Sequence, residues 1–246
     1  MSAIPLEREI EYPTTDGHLM AESIEHQQVM IDLILGLRQL YAARSDVWVA
    51  GNFILCYEQG NPRAFVAPDV MLAIGVRKRT RYNYLLWEEK PPSLLVEVTS
   101  KSTRREDEVK KKALYERIGV EEYLLFDPKD EYLKPRLQGF RLTSGLFRPI
   151  RLERDGALLS RTTGLTFRPE GERLRMLDTS SGEPMRWSDE LDAARQDAED
   201  ARRAAEDARR AAEARLAEET AGRQAAEERL RILEAELSRL RKGRNG

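Results

Sequence analysis

Two carboxylates and one lysine sit where the surrounding residues make a charge expensive. Asp69 lies in Ala67-Pro68-Asp69-Val70-Met71-Leu72, and Glu97 in Leu94-Leu95-Val96-Glu97-Val98-Thr99, each inside or at the edge of an apolar run. Burying an ionised carboxylate is costly unless a cation or several donors compensate it, so acids placed this way tend to mark sites. Taken singly, each reads better as an edge-strand acid facing solvent or as the partner of a nearby arginine. Two acids on successive strands, with a lysine directed toward them, are the kind of charged cluster a functional site assembles.

The lysine is selected by helix geometry. At about 100° per residue, Lys111, Leu114, Tyr115 and Ile118 all fall within about 80° of Asp107 on one face. The apolar Leu114 and Ile118 turn that face inward, which directs Lys111, and not Lys110 or Lys112, toward the sheet. Val109 falls on the outer side and fits less well. An exposed i,i+4 pair between Asp107 and Lys111, contributing about 0.2–0.5 kcal/mol, accounts for the same spacing, and both readings stand on sequence alone.

The elements that must carry these residues follow from periodicity and turn signals. Residues 23–43 read as an amphipathic helix, with Val29, Leu33, Leu37 and Leu40 at helical spacing. Strands are expected at 47–57, 65–74 and 93–99, separated by Gln59-Gly60-Asn61-Pro62 and by Lys90-Pro91-Pro92. A helix over 103–118 then stops at Gly119, and a strand over 122–126 follows. The order is helix, three strands, helix, strand. Segments 138–142 and 147–152 read as antiparallel additions.

Pro68-Asp69, then Glu97-Val98-Thr99-Ser100-Lys101-Ser102-Thr103, Asp107, Lys111, Tyr115, Gly119-Val120-Glu121-Glu122-Tyr123 and Asp127-Pro128 together resemble the Uma2 family of restriction endonucleases, a branch of the PD-(D/E)xK nuclease superfamily. Asp16-Gly17, Met20-Ala21-Glu22 and His26 resemble the approach to that family's first helix. The likeness spans roughly residues 10–180. It implies an α/β, mixed α+β, restriction-endonuclease-like αβββαβ core with added antiparallel strands. It also implies metal-assisted phosphodiester hydrolysis, most readily of DNA. Asp69, Glu97 and the backbone carbonyl of Val98 would hold Mg²⁺ or Mn²⁺, which take oxygen ligands. Lys111 would orient the attacking water and offset charge on phosphorus. Glu22 is a candidate further ligand, and Asp107 and Tyr115 are candidate supports for Lys111. His26 reads more readily as a packed helix residue than as a base. One departure matters: where the superfamily places a lysine two residues after the glutamate, this chain has Thr99. Lys111 is the position that matches the lysine's transfer to the following helix.

The formal net charge is −2 and the pI about 6.0, so no global basic signal marks a nucleic-acid binder. Cations gather locally instead, at Arg77, Lys78, Arg79 and Arg81, at Lys101, Arg104 and Arg105, and at Lys110 to Lys112. They could contact phosphates without reading sequence, and a solvated charged loop explains each equally. The one cysteine, Cys56, lies in an apolar run and reads as a buried thiol, not a disulfide or zinc ligand. With no leader and no run near the ~18 apolar residues of a membrane span, the expectation is a cytoplasmic chain without membrane contact.

Composition shifts at Trp187 from proline, glycine and aromatics to Ala, Glu, Arg and Asp, which predicts a domain over 1–187 and a coiled-coil tail over 188–246. A seam runs through Leu191, Ala194, Ala198, Ala201, Ala205, Ala208 and Ala212, and resumes at Ala226, Leu230, Leu233, Leu237 and Leu240. Between them a stutter at Leu216, with Glu219 and Arg223 on the seam, weakens it. The tail predicts a homo-oligomer or docked partner; a single solvated helix held by Glu/Arg pairs is the alternative. Two functions therefore compete: a metal-dependent endonuclease, and a catalytically silent nuclease fold serving a coiled-coil tether or assembly module.

Overall fold

The computed structural model describes residues 11–13 and 23–243, with side chains described as far as residue 235. The chain divides into two compact units, Met1–Ser188 and Asp189–Gly246.

In the first unit a six-stranded sheet forms the centre. Its strands are β1 (Val47–Ala50), β4 (Val70–Ile74), β6 (Leu94–Val98), β7 (Glu122–Phe126), β8 (Leu137–Thr143) and β9 (Leu146–Pro149), in the order β1-β4-β6-β7-β8-β9. Neighbours pair antiparallel except β6 and β7, which are parallel. A parallel pair requires a crossover, and the helical segment of residues 106–117 supplies it. The core order is thus helix, three strands, helix, strand, as the periodicity predicts. A small sheet of β2 (Leu55–Cys56), β3 (Phe65–Val66) and β5 (Tyr84–Leu85) is inserted between the core strands. A third sheet of β10 (Leu158–Ser160), β11 (Leu165–Glu170) and β12 (Arg173–Asp178) follows β9.

Side-chain alternation along the central strands sorts residues to two faces. Val70, Leu72, Leu94, Val96, Val98, Leu124 and Phe126 pack against Val29, Leu33 and Leu37 of helix α1 (Ile24–Leu40) and against Phe167 and Met176. Met71, Ala73, Leu95, Tyr123 and Leu125 face the other way, against Leu55, Tyr84 and Tyr115. The sheet is covered on both sides, so its strands carry near-continuous apolar runs. Glu97, two residues beyond Leu95, belongs by this alternation to the face covered by Tyr115.

Two expected strands are broken, each at the residues that place Asp69. The 47–57 stretch divides at Gly51 and Asn52, where Asn52 takes a positive φ of 47°. A Cβ on Gly51 would stand 2.3 Å from Ile34 Cδ1 and 2.9 Å from the carbonyl oxygen of Asp69. Only a glycine admits that approach, and Asn52 N–H then donates to the same carbonyl at 3.3 Å. The 65–74 stretch divides at Ala67-Pro68-Asp69, where proline offers no ladder donor.

The second helix is less regular than its wheel implies. A π-helical segment, Glu106–Lys111, precedes α2 (Lys112–Arg117). The helix ends as its glycine predicts: Gly119 has φ 85°, its N–H donates to the Glu116 carbonyl, and Val120 N–H donates to the Tyr115 carbonyl. This paired cap fixes the last turn, which carries Tyr115.

The second unit is described by α3 (Ser188–Gly243), 56 residues of continuous helix that the stutter does not interrupt. Pairs spaced i,i+4, such as Arg203–Glu199 and Arg209–Glu213, line its surface. Leu216, Leu230, Ile232 and Leu233 are exposed. Among the described residues no helix is long and apolar enough to cross a membrane. Cys56 is a free, buried cysteine, and burial pushes its thiol pKa up.

Candidate active site

Asp69 enters the site from the loop ahead of β4, at the end of the sheet where β6 also finishes. Its Oδ2 accepts the Val98 N–H at 2.7 Å and lies 3.3 Å from His26 Nε2. A residue's N–H and C=O leave the same edge of a strand, so this bond also turns the Val98 carbonyl toward the Asp69 side. His26 reaches the acid from the first turn of α1, whose N-cap Ser23 accepts the His26 N–H.

Glu97 is 1% exposed. Its Oε2 accepts from Lys111 Nζ at 2.8 Å and its Oε1 from the Tyr115 hydroxyl at 2.6 Å. Lys111 also stands 3.0 Å from Asp107 Oδ1. The inward face of the helix is therefore occupied by Asp107, Lys111 and Tyr115, while Val109 lies outside at 60% exposure. Tyr115 reaches Glu97, not Lys111. Tyr123 adds a contact with no counterpart in the sequence reading: its hydroxyl donates at 3.1 Å to the backbone carbonyl of Asp107, within the π-helical segment. A carbonyl in an irregular turn needs such a partner when buried.

The electrostatics are those of surplus acid. Glu97 and Asp107 both contact the Lys111 ammonium, and Asp69 lies close enough to act on it electrostatically. Burial pushes the Glu97 carboxyl up to about 8, against the opposing pull of Lys111 and with repulsion from Asp69 and Asp107 adding to it. Asp107 is raised by burial too, with Lys111 opposing. For Lys111 burial acts to lower the pKa, and the attraction of Glu97, Asp107 and Asp69 outweighs it, so the amine is held protonated. Burial raises Tyr115 and Tyr123 well above the usual phenol range and keeps both as neutral donors.

Among the described residues no group of three or more His, Cys, Asp or Glu side chains forms a closed metal cluster. The donor set nevertheless suits a hard divalent cation. Asp69 and Glu97 supply oxygens that retain lone pairs after their present bonds, and the Val98 carbonyl lies on the same edge, oxygen donors of the kind such an ion takes.

Glu22, with Asp16, Gly17, Met20 and Ala21, lies outside the described residues. The cations noted in the sequence divide. Arg79 pairs with Glu88 and Glu89, Arg104 pairs with Glu108, and Arg81 pairs with Glu89 while its guanidinium lies 4.7 Å from the Trp48 ring. Among the described residues Lys101 and Arg105 are exposed and take no ion pair. Thr99, 2% exposed, has an Oγ1 without a hydrogen-bond partner among the described residues.

A family model, Uma2, described as "Putative restriction endonuclease", matches residues 2–170. No curated protein matches the chain. Among solved structures, a "putative nuclease belonging to DUF820" from Anabaena variabilis is similar at 11% identity and a TM-score of 0.43, over 58% of this chain and 75% of that one.

Proposed function

The chain belongs to the Uma2 family, and on that premise we propose that Asp69, Glu97 and Lys111 form a divalent-metal-dependent site for phosphodiester hydrolysis, with DNA as substrate. The observation that carries the reading is Lys111 Nζ, brought from a separate helix to 2.8 Å from Glu97 and 3.0 Å from Asp107. An exposed surface pair would not be 16% exposed beside an acid of another element.

Asp69 and Glu97, with the Val98 carbonyl, would hold Mg²⁺ or Mn²⁺. When bound, such an ion polarises the scissile phosphate and acidifies a water. The Val98 N–H fixes the Asp69 carboxylate, and the Tyr115 hydroxyl fixes that of Glu97. Lys111 has three N–H donors. Glu97 and Asp107 engage two, which leaves one to face the attacking water or the phosphate oxygen on which charge builds. Asp107 positions the amine, and Tyr123 positions the segment that carries Asp107.

A plasmid nicking assay with Mg²⁺ or Mn²⁺ tests this. Asp69→Ala, Glu97→Ala and Lys111→Ala should each lower the rate by about 100-fold or more. Metal-independent cutting, or variants that cut like the wild type, would overturn the site. Cleavage of no nucleic acid at all would favour the tethering function.

We further propose that the tail associates with a second copy of the chain. Leu230 and Leu233 are 60% and 59% exposed on α3 and share the seam with Leu216 at 65%. Leu230→Lys with Leu233→Lys should lower the molar mass measured by light scattering. An unchanged mass would remove this role.

A further inference from the structure

A cavity of about 550 Å³ opens beside the acid pair. His26, which touches Asp69, and Thr99, which follows Val98, both line it and join it to the site. Its lining comes from the segment after β6, with Thr99, Ser100 and Lys101, and from the loop after β7, with Lys129 and Tyr132.

Its volume lies within the range of small-ligand sites, about 300–1,000 Å³, and far exceeds what a lone phosphate requires. The polar wall suits an anion. Thr99 Oγ1 is buried without a partner among the described residues, which leaves a hydroxyl short of one bond. Lys101 is an exposed cation without an ion pair among the described residues, whereas Lys129 is paired with Glu25 at 3.6 Å. Asp127 is spent on the N–H groups of Lys129, Tyr132 and Leu133. The lining also includes the half-buried ring of Tyr132, a surface on which a base or sugar packs.

We propose that this cavity binds one unpaired nucleotide adjoining the scissile bond, its phosphate at Thr99 and Lys101 and its base on the Tyr132 ring. A base held in a duplex stack cannot enter a concave pocket of this size; it must come from a single strand or be taken out of the helix. The substrate class is therefore DNA with an unpaired nucleotide at the cut. This rests on the nuclease reading above.

Fluorescence anisotropy in EDTA, with the full chain and a labelled 12-mer as single strand or blunt duplex, separates the two claims. The wild type should bind the single strand at least about tenfold more tightly. Thr99→Val and Tyr132→Ala should each weaken single-strand binding by about tenfold, while Tyr132→Phe retains it. Lys101→Ala should lower the slope of log affinity against log salt by about 0.7. Equal binding of duplex and single strand, binding of neither, or cavity variants that bind like the wild type would each overturn the proposal. Tyr132 is half-buried in a loop, so its variants keep the test open if Thr99→Val unfolds. A wild type that nicks duplex plasmid with neutral cavity variants would defeat this inference and leave the nuclease reading intact. Metal-site variants that still cut would do the reverse.

Discussion

Glu97 on β6 and Glu122 on β7 lie on two strands paired in parallel, and both are sealed from solvent at 1% and 0% exposure. Their surroundings divide them. Glu122 is matched by donors: Arg141 Nε at 2.7 Å and Arg161 N–H at 3.1 Å on Oε1, and the Ser160 hydroxyl on Oε2. Glu97 has one amine and one phenol, and it shares that amine with Asp107 while Asp69 stands nearby. Burial of a carboxylate therefore does not by itself mark a site. Glu122 ties β7, β8 and β10 together as a completed knot. Glu97 belongs to a cluster with more acid than base, a state that favours a cation from outside.

The largest test of this contrast acts on stability. Arg141→Ala leaves Glu122 buried without its cation and should destabilise the protein by roughly 3–5 kcal/mol, the range for breaking a buried pair. Urea denaturation measures it, and the rate of nicking per folded molecule should not change. A fall in rate at full folding would place Glu122 in the chemistry and dissolve the comparison.

A smaller shift should come from the metal. A ligand bound to the native state at 100 times its Kd stabilises by about 2.7 kcal/mol. Mg²⁺ should raise the wild-type Tm relative to EDTA, and Glu97→Gln should abolish the rise. Glu122→Gln, though less stable, should keep it. A rise that survives Glu97→Gln would move the metal elsewhere.

The same contrast shows where sequence reading stops. Glu97 is legible because Leu94, Leu95, Val96 and Val98 surround it, and Lys111 because Leu114 and Ile118 orient its helix face. Glu122 sits at a strand start beside Glu121, where an acid is ordinary, and its partners Arg141 and Ser160 come from strands far along the chain. No local pattern announces that pairing. The breaks at Gly51 and Pro68 were hidden for a related reason: apolar composition continues across them, while the cause, the approach of Asp69 to β1, is tertiary. The π-helical turns and the Thr99 cavity wall likewise depend on contacts between distant elements. The sheet β10-β11-β12 carries no chemistry-bearing residue of the site, and its strands are short and mixed in polarity.

The finest test separates the two phenols that bracket the acid cluster. Tyr115→Phe removes a donor from Glu97 itself, whereas Tyr123→Phe removes one from the Asp107 carbonyl and leaves every carboxylate contact in place. Each leaves a buried acceptor short of a donor and should cost about 1–3 kcal/mol of stability. Their effects on cleavage should differ. With Tyr115→Phe the Glu97 carboxylate loses one of two fixed bonds and the metal affinity shifts, visible as a changed Mg²⁺ concentration for half-maximal nicking. With Tyr123→Phe that concentration stays constant and the maximal rate falls modestly, because the segment positioning Lys111 loosens. Identical Mg²⁺ curves for both variants would mean that Tyr115 supports the fold alone and that the surplus acid at Glu97 does not depend on its phenol.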